Sequence, residues 1–186
     1  SEASTQLKDN STIPFIKGLI AAKKGTLAEA QDLFTRTIEI DKNHVRARLN
    51  RCSAALLREE LSMALDDANF LVENRPNLNL ARLRRSEILM NLGDWIEAEK
   101  ELRRLLTKSP EYTMALVHMG ACMNAMGRAE QAQKPLNRAI QIDPTLSDAW
   151  YQRGLLYLDF GRLNEALADF ESAAKCNPRH IDAKLR

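Results

Sequence analysis

Between Trp150 and Pro178 the apolar positions follow a helical period rather than a strand period. Trp150, Gly154 and Tyr157 fall on one face at spacings of four and three. Gly161 interrupts the pattern, and Ala166, Phe170 and Ala173 then mark a second face at the same spacings. Pro178 closes the stretch, because proline cannot continue a helix and biases the residue before it away from helical conformation. The pattern predicts two antiparallel helices joined by a tight turn. Such a pair cannot bury both apolar faces alone, so the pattern also predicts neighbours.

The same pattern recurs every 34 residues. Pro178 is preceded in register by Pro144, Pro110 and Pro76, with Lys42 in the first copy. Gly161 is preceded by Gly127, Gly93, Glu59 and Gly25, and Ala166 by Ala132, Ala98, Ala64 and Ala30. Phe170 corresponds to Leu136, Leu102, Ala68 and Phe34. Trp150 corresponds to Leu116, Arg82, Arg48 and Pro14. The Gly154 position holds Gly120, Ser86, Cys52 and Gly18, all small. No insertion breaks the register. It predicts five helix pairs over residues 11–44, 45–78, 79–112, 113–146 and 147–180. Residues 1–10 are expected to be a flexible leader, and 181–186 the start of a truncated capping helix or further repeat.

Local signals refine this picture. Ser11 or Thr12 is expected to cap the first helix, and Thr26 with Glu29 has the spacing of a capping box. Arg48 and Arg82 stand where a large apolar residue is wanted, so their stems are expected to lie along apolar surface with the heads in water. Glu59 stands at a turn position that elsewhere holds glycine, so its turn must manage without a residue that readily takes positive φ. Pro135 predicts a kink or a late helix start near Gln131–Pro135.

The 34-residue helix–turn–helix period resembles the tetratricopeptide repeat. In this chain the recurring order of that family is Trp150, Gly154, Tyr157, Ala166, Phe170, Ala173 and Pro178. The resemblance implies an all-α, right-handed superhelical solenoid whose first helices line a concave groove. It implies a non-enzymatic protein–protein interaction module, a scaffold or adaptor, with a partner segment held in that groove. The groove positions map onto Arg46, Leu49, Asn50 and Ser53, then Leu83, Arg84, Glu87 and Asn91. They continue with Met114, Val117, His118, Ala121 and Asn124, then Asp148, Tyr151, Gln152 and Leu155. The partner-binding set expected from these is Arg46, Asn50, Ser53, Arg84, Glu87, Asn91, His118, Asn124, Tyr151 and Gln152.

Composition changes this picture little. Apolar residues make up 45% and charged residues 28%, with a formal net charge of +2. Such a charge gives no steering toward nucleic acid, and no apolar run reaches the ~20 residues of a membrane span. Cys52, Cys122 and Cys176 are widely spaced, as expected of small buried or half-buried thiols in a reducing compartment, with the cytoplasm as default. His44, His118 and His180 fall in separate repeats, and no phosphate loop, nucleophile elbow or zinc-type pairing is present. The acid pairs Glu59–Glu60 and Asp66–Asp67 are expected to be solvated. No enzyme, metal site or cofactor is therefore expected.

Charge is nonetheless uneven. Lys42 to Arg58 carries four arginines and one lysine without an acid, and Asn74 to Ser86 carries four arginines without an acid. A basic strip on the first helices would suit an acidic or carboxylate-ended segment. Arg51, Arg85 and Arg153 share one repeat position and are expected to serve packing and local pairing. Two alternatives accompany this reading. One is a co-chaperone that binds the C-terminus of a heat-shock chaperone through a two-carboxylate clamp. Asn50 and Arg84 fit such a clamp, but Phe15, Leu19 and Leu80 do not. The other is self-association through the apolar end at Ile181–Leu185.

Overall fold

The computed structural model of the chain describes residues 10–177. Pro178, His180, residues 181–186 and all but the last residue of the leader lie outside the described residues. Among the described residues there are ten α-helices and no strand. They are α1 (Thr12–Lys24), α2 (Leu27–Ile40), α3 (Val45–Leu57), α4 (Leu61–Asn74) and α5 (Asn79–Asn91). They continue as α6 (Trp95–Lys108), α7 (Thr113–Ala125), α8 (Ala129–Ile142), α9 (Ser147–Asp159) and α10 (Leu163–Cys176). The second helix of each pair begins at residue 27, 61, 95, 129 or 163, a step of 34 each time.

The chain divides into two compact units, one ending at Leu92 and the other beginning at Gly93. In the first, α1 to α5 pack in sequence, and the first helix α3 also touches both α1 and α5 directly. In the second, α6 to α10 pack in sequence, and α7 touches α9.

The alanines of the register are all in the interior. Ala30, Ala64, Ala98, Ala132 and Ala166 are each 0% exposed. Beside them a large second-helix residue is matched to a small first-helix residue. A Cβ placed on Gly18 would come within 2.6 Å of the Phe34 ring, and one on Gly154 within 2.7 Å of Phe170. Cys52 and Ala68 occupy the same pair of positions in one cluster, dividing the volume more evenly.

Four local expectations are corrected. The helix carrying Pro135 starts at Ala129 and runs unbroken to Ile142, in step with the other second helices, so there is no late start. Thr26 provides no side-chain cap: its one hydroxyl proton is shared between Ala21 O and Glu29, each at 3.1 Å, and its oxygen accepts no amide. The first helix is capped by Asn10, whose Oδ1 accepts from Thr12 N at 2.8 Å, and neither Ser11 nor Thr12 provides a side-chain cap. Glu59 does adopt the conformation that the turn demands, at φ 59°, where the other four turns use glycine. The backbone closes in the same way in both cases, with Glu60 N donating to Ala55 O at 2.9 Å and Arg162 N to Tyr157 O at 2.8 Å.

A left-handed residue with a Cβ is strained by roughly 1 kcal/mol. Glu59→Gly is therefore expected to stabilise the first unit by about 0.5 kcal/mol, after the entropy that glycine adds to the unfolded chain. Urea denaturation followed by circular dichroism checks this, and a lower midpoint for the variant would contradict it.

Candidate partner-binding surface

In the first unit the expected residues form two stripes. Arg46, Asn50 and Ser53 follow helical spacing on α3, and Arg84, Glu87 and Asn91 do so on α5. Their polar groups mostly turn back on their own helix. Asn50 donates to Arg46 O (2.7 Å), Ser53 to Leu49 O (3.0 Å) and Asn91 to Glu87 O (3.0 Å), while Arg84 pairs with Glu87 at 2.7 Å. The exposed Arg46 guanidinium lies 5.1 Å from the centre of the Phe15 ring. Arg46 makes no ion pair among the described residues. Leu83 is buried, at 5% exposure, because that edge of α5 faces the core.

Much of the basic strip is already engaged by acids. Arg51 donates through Nε and Nη2 to both oxygens of Asp67 (2.7 and 2.8 Å) and through Nη1 to Thr35 Oγ1 (3.0 Å). Arg48 adds a bond to Asp67 at 3.0 Å and lies 3.6 Å from the centre of the Phe70 ring. Two expectations fall here. Asp67 is not solvated but 0% exposed. The Arg48 head does not reach out to water: a buried carboxylate and the carbonyl of Lys42 hold it inward. The Asp67 hydrogen bond holds the Arg51 guanidinium above its ordinary pKa, against the desolvation that opposes it. Arg58 is taken up by Glu60 (2.9 Å) and Gln31.

The second unit repeats this arrangement once. Arg153 donates to both oxygens of Asp169 (2.7 and 2.8 Å) and to Asn137 Oδ1 (2.8 Å). Its guanidinium is likewise raised above its ordinary pKa, mainly by the bond to Asp169. Among the expected residues of this unit, Asn124 donates to Asp159 at 2.6 Å, and the Tyr151 ring sits 5.6 Å from that of Phe170. His118 and Gln152 are half-buried. Val117, also placed at a groove position by the sequence, is buried beside Leu116, Ala139 and Ala149.

Cys52 and Cys122 are buried, and burial pushes their thiols up to about 12 and about 11 respectively, so neither is a ready nucleophile. Cys176 is exposed. Among the described residues no three His, Cys, Asp or Glu side chains are grouped as metal ligands. No described helix is long and apolar enough to cross a membrane.

Two family models, both described as tetratricopeptide repeat, match residues 89–156 and 147–180. Residues 89–180 are tetratricopeptide repeats. The chain's helix pairs share that fold with TTC0263, a thermophilic tetratricopeptide repeat protein of Thermus thermophilus. The identity is 22% over 95% of this chain and 96% of that one, with a TM-score of 0.82. YrrB, a tetratricopeptide repeat protein with an unusual peptide-binding site, matches at 19% identity over 100% of this chain and 97% of that one, with a TM-score of 0.67. DnaJ homolog subfamily C member 3 of Rattus norvegicus is 30% identical over 94 residues, covering half of this chain. The chain spans 18% of the length of that relative. Tetratricopeptide repeats are interaction modules, and the surfaces described above are what this one offers.

The sequence did not reveal the two arginine–carboxylate locks as a set. The signal was present as a step of 16 residues, from Thr35 to Arg51 to Asp67 and from Asn137 to Arg153 to Asp169. It crosses from one repeat into the next, so a reading confined to single repeats passes over it.

Proposed function

We propose that this chain is a non-enzymatic scaffold or adaptor module, which holds an extended or helical segment of another protein against its first helices. One observation carries the reading. The stripe Arg46, Asn50 and Ser53 on α3 and the stripe Arg84, Glu87 and Asn91 on α5 spend their polar groups within their own helices. Apart from the Arg46 guanidinium over the Phe15 ring of α1, these contacts tie no other helix, which leaves the stripes to partner binding. Arg46, with no carboxylate of its own, favours an acidic segment. His118, Asn124, Tyr151 and Gln152 are the corresponding proposals in the second unit. The five repeat boundaries and a cytoplasmic setting belong to the same proposal, the latter supported by unpaired cysteines.

The co-chaperone alternative has in its favour the similarity to a DnaJ homolog. Against it stand Phe15, which is buried, and the apolar Leu19 and Leu80 at the remaining clamp positions.

A peptide-binding screen against this chain, repeated with the Arg46→Ala, Asn50→Ala and Arg84→Ala triple variant, tests the reading. Acidic peptides are expected to bind the parent and to weaken by about ten-fold or more in the variant, while the fold is retained. Binding indifferent to the variant would place the partner elsewhere.

A further inference from the structure

The 16-residue step that builds the locks passes through the second unit once more. Between the Thr35–Arg51–Asp67 and Asn137–Arg153–Asp169 sets, the register lands first on Asn69, Arg85 and Glu101 and then, within the second unit, on Arg103, Met119 and Pro135. These cannot form the lock. Met119 has no donor to offer and Pro135 has no carboxylate to receive one. Beside these residues there is an open cavity of about 770 Å³ between α6 and α8; the open pocket beside the intact Arg51 lock is lined instead by the acids Glu59, Glu60 and Asp66. Leu116, Met119 and Met123 of α7 and Pro135 of α8 line it. α7 contains no Asp, Glu, Lys or Arg. The lip carries Arg103, Lys134 and Arg138 against the one acid Glu130. Arg103 pairs with Glu99 (2.5 Å) and Arg138 with Glu111 (2.5 Å), whereas Lys134 makes no ion pair among the described residues.

We infer that this cavity is a second docking site, for a partner segment that inserts a large apolar side chain and sets a neighbouring carboxylate on Lys134. The volume lies within the range of sites that take side-chain-sized ligands. The two methionines supply an adaptable apolar floor. Charge selects the occupant: Lys134 makes no ion pair among the described residues and stands at the lip over the uncharged α7, with Glu130 the one acid of the lining. The site lies on α6, α7 and α8, a different set of elements from the stripes of α3 and α5.

The probes are three peptides, EELFEE, KKLFKK and EEGSEE, added to protein labelled at its six methionine methyls. EELFEE is expected to shift the Met119 and Met123 resonances while leaving Met63 and Met90 in place, and the other two peptides to leave all of them unmoved. Lys134→Glu is expected to weaken EELFEE by about ten-fold. Rebuilding the lock with Arg103→Asn, Met119→Arg and Pro135→Asp puts charge into the apolar lining and is expected to abolish the Met123 shift. The inference is overturned by an unmoved Met119 and Met123 at millimolar EELFEE, by equal binding of KKLFKK, or by binding that survives the rebuilt lock. The resonance map of the parent protein decides the matter even if the rebuilt variant does not fold.

Discussion

Asp67→Ala is expected to cost the first unit about 3–5 kcal/mol, the range for removing one partner of a buried ion pair. Asp67 has no exposure and accepts from two arginines, at 2.7 to 3.0 Å. Without it, Arg48 and Arg51 are left facing each other with little access to water, their side chains being 13% and 15% exposed. The Coulomb gain of the pair is offset by desolvation, so removing both charges together is a different matter. Replacing both partners, with Arg51→Met and Asp67→Leu, is expected to cost far less than Asp67→Ala alone. The chain already contains apolar versions of this site at Met119 and Pro135. Urea denaturation of the three proteins measures the effect. A change below about 1 kcal/mol for Asp67→Ala would show that the lock does not hold the first unit together.

Phe34→Ala is expected to destabilise the same unit by about 3–5 kcal/mol. The ring is fully buried and fills the space that Gly18 leaves open. The sharper test is a reversal of sign. Gly18→Cys alone pushes a side chain into that ring and is expected to cost about 1–3 kcal/mol. On the Phe34→Ala background the same change recreates the Cys52–Ala68 combination of the second repeat and is expected to recover about 1 kcal/mol. If Gly18→Cys has the same sign in both backgrounds, the two positions do not share one volume.

Fold was legible in the sequence because the repeat register tests itself five times. Ala166 and its four equivalents are invariant, and every one of them is fully buried. Where a single residue departs from the register, the sequence could not say whether structure or composition would yield. At Glu59 the backbone keeps its conformation and the residue bears the strain. At Pro135 the helix continues. At Arg48 the head was expected in water, but its acid partner lies 19 residues away on another helix. The surface was less legible for the same reason. A count of arginines cannot tell those that meet Asp67, Glu60 or Glu87 from Arg46, which meets none of them.

The invariance that makes the fold readable carries a hazard of its own. Helix pairs with nearly interchangeable faces can dock out of order, skipping a neighbour or borrowing one from another chain. An arginine that must find its acid and a polar acceptor one repeat back penalises such exchanges, since a wrong neighbour strands a charge in an apolar interior. The first unit has this proofreading at Arg51 and the fifth repeat has it at Arg153. Around Met119 it is missing, so the fourth repeat is the place where assembly errors and repeat-swapped dimers of this chain should begin.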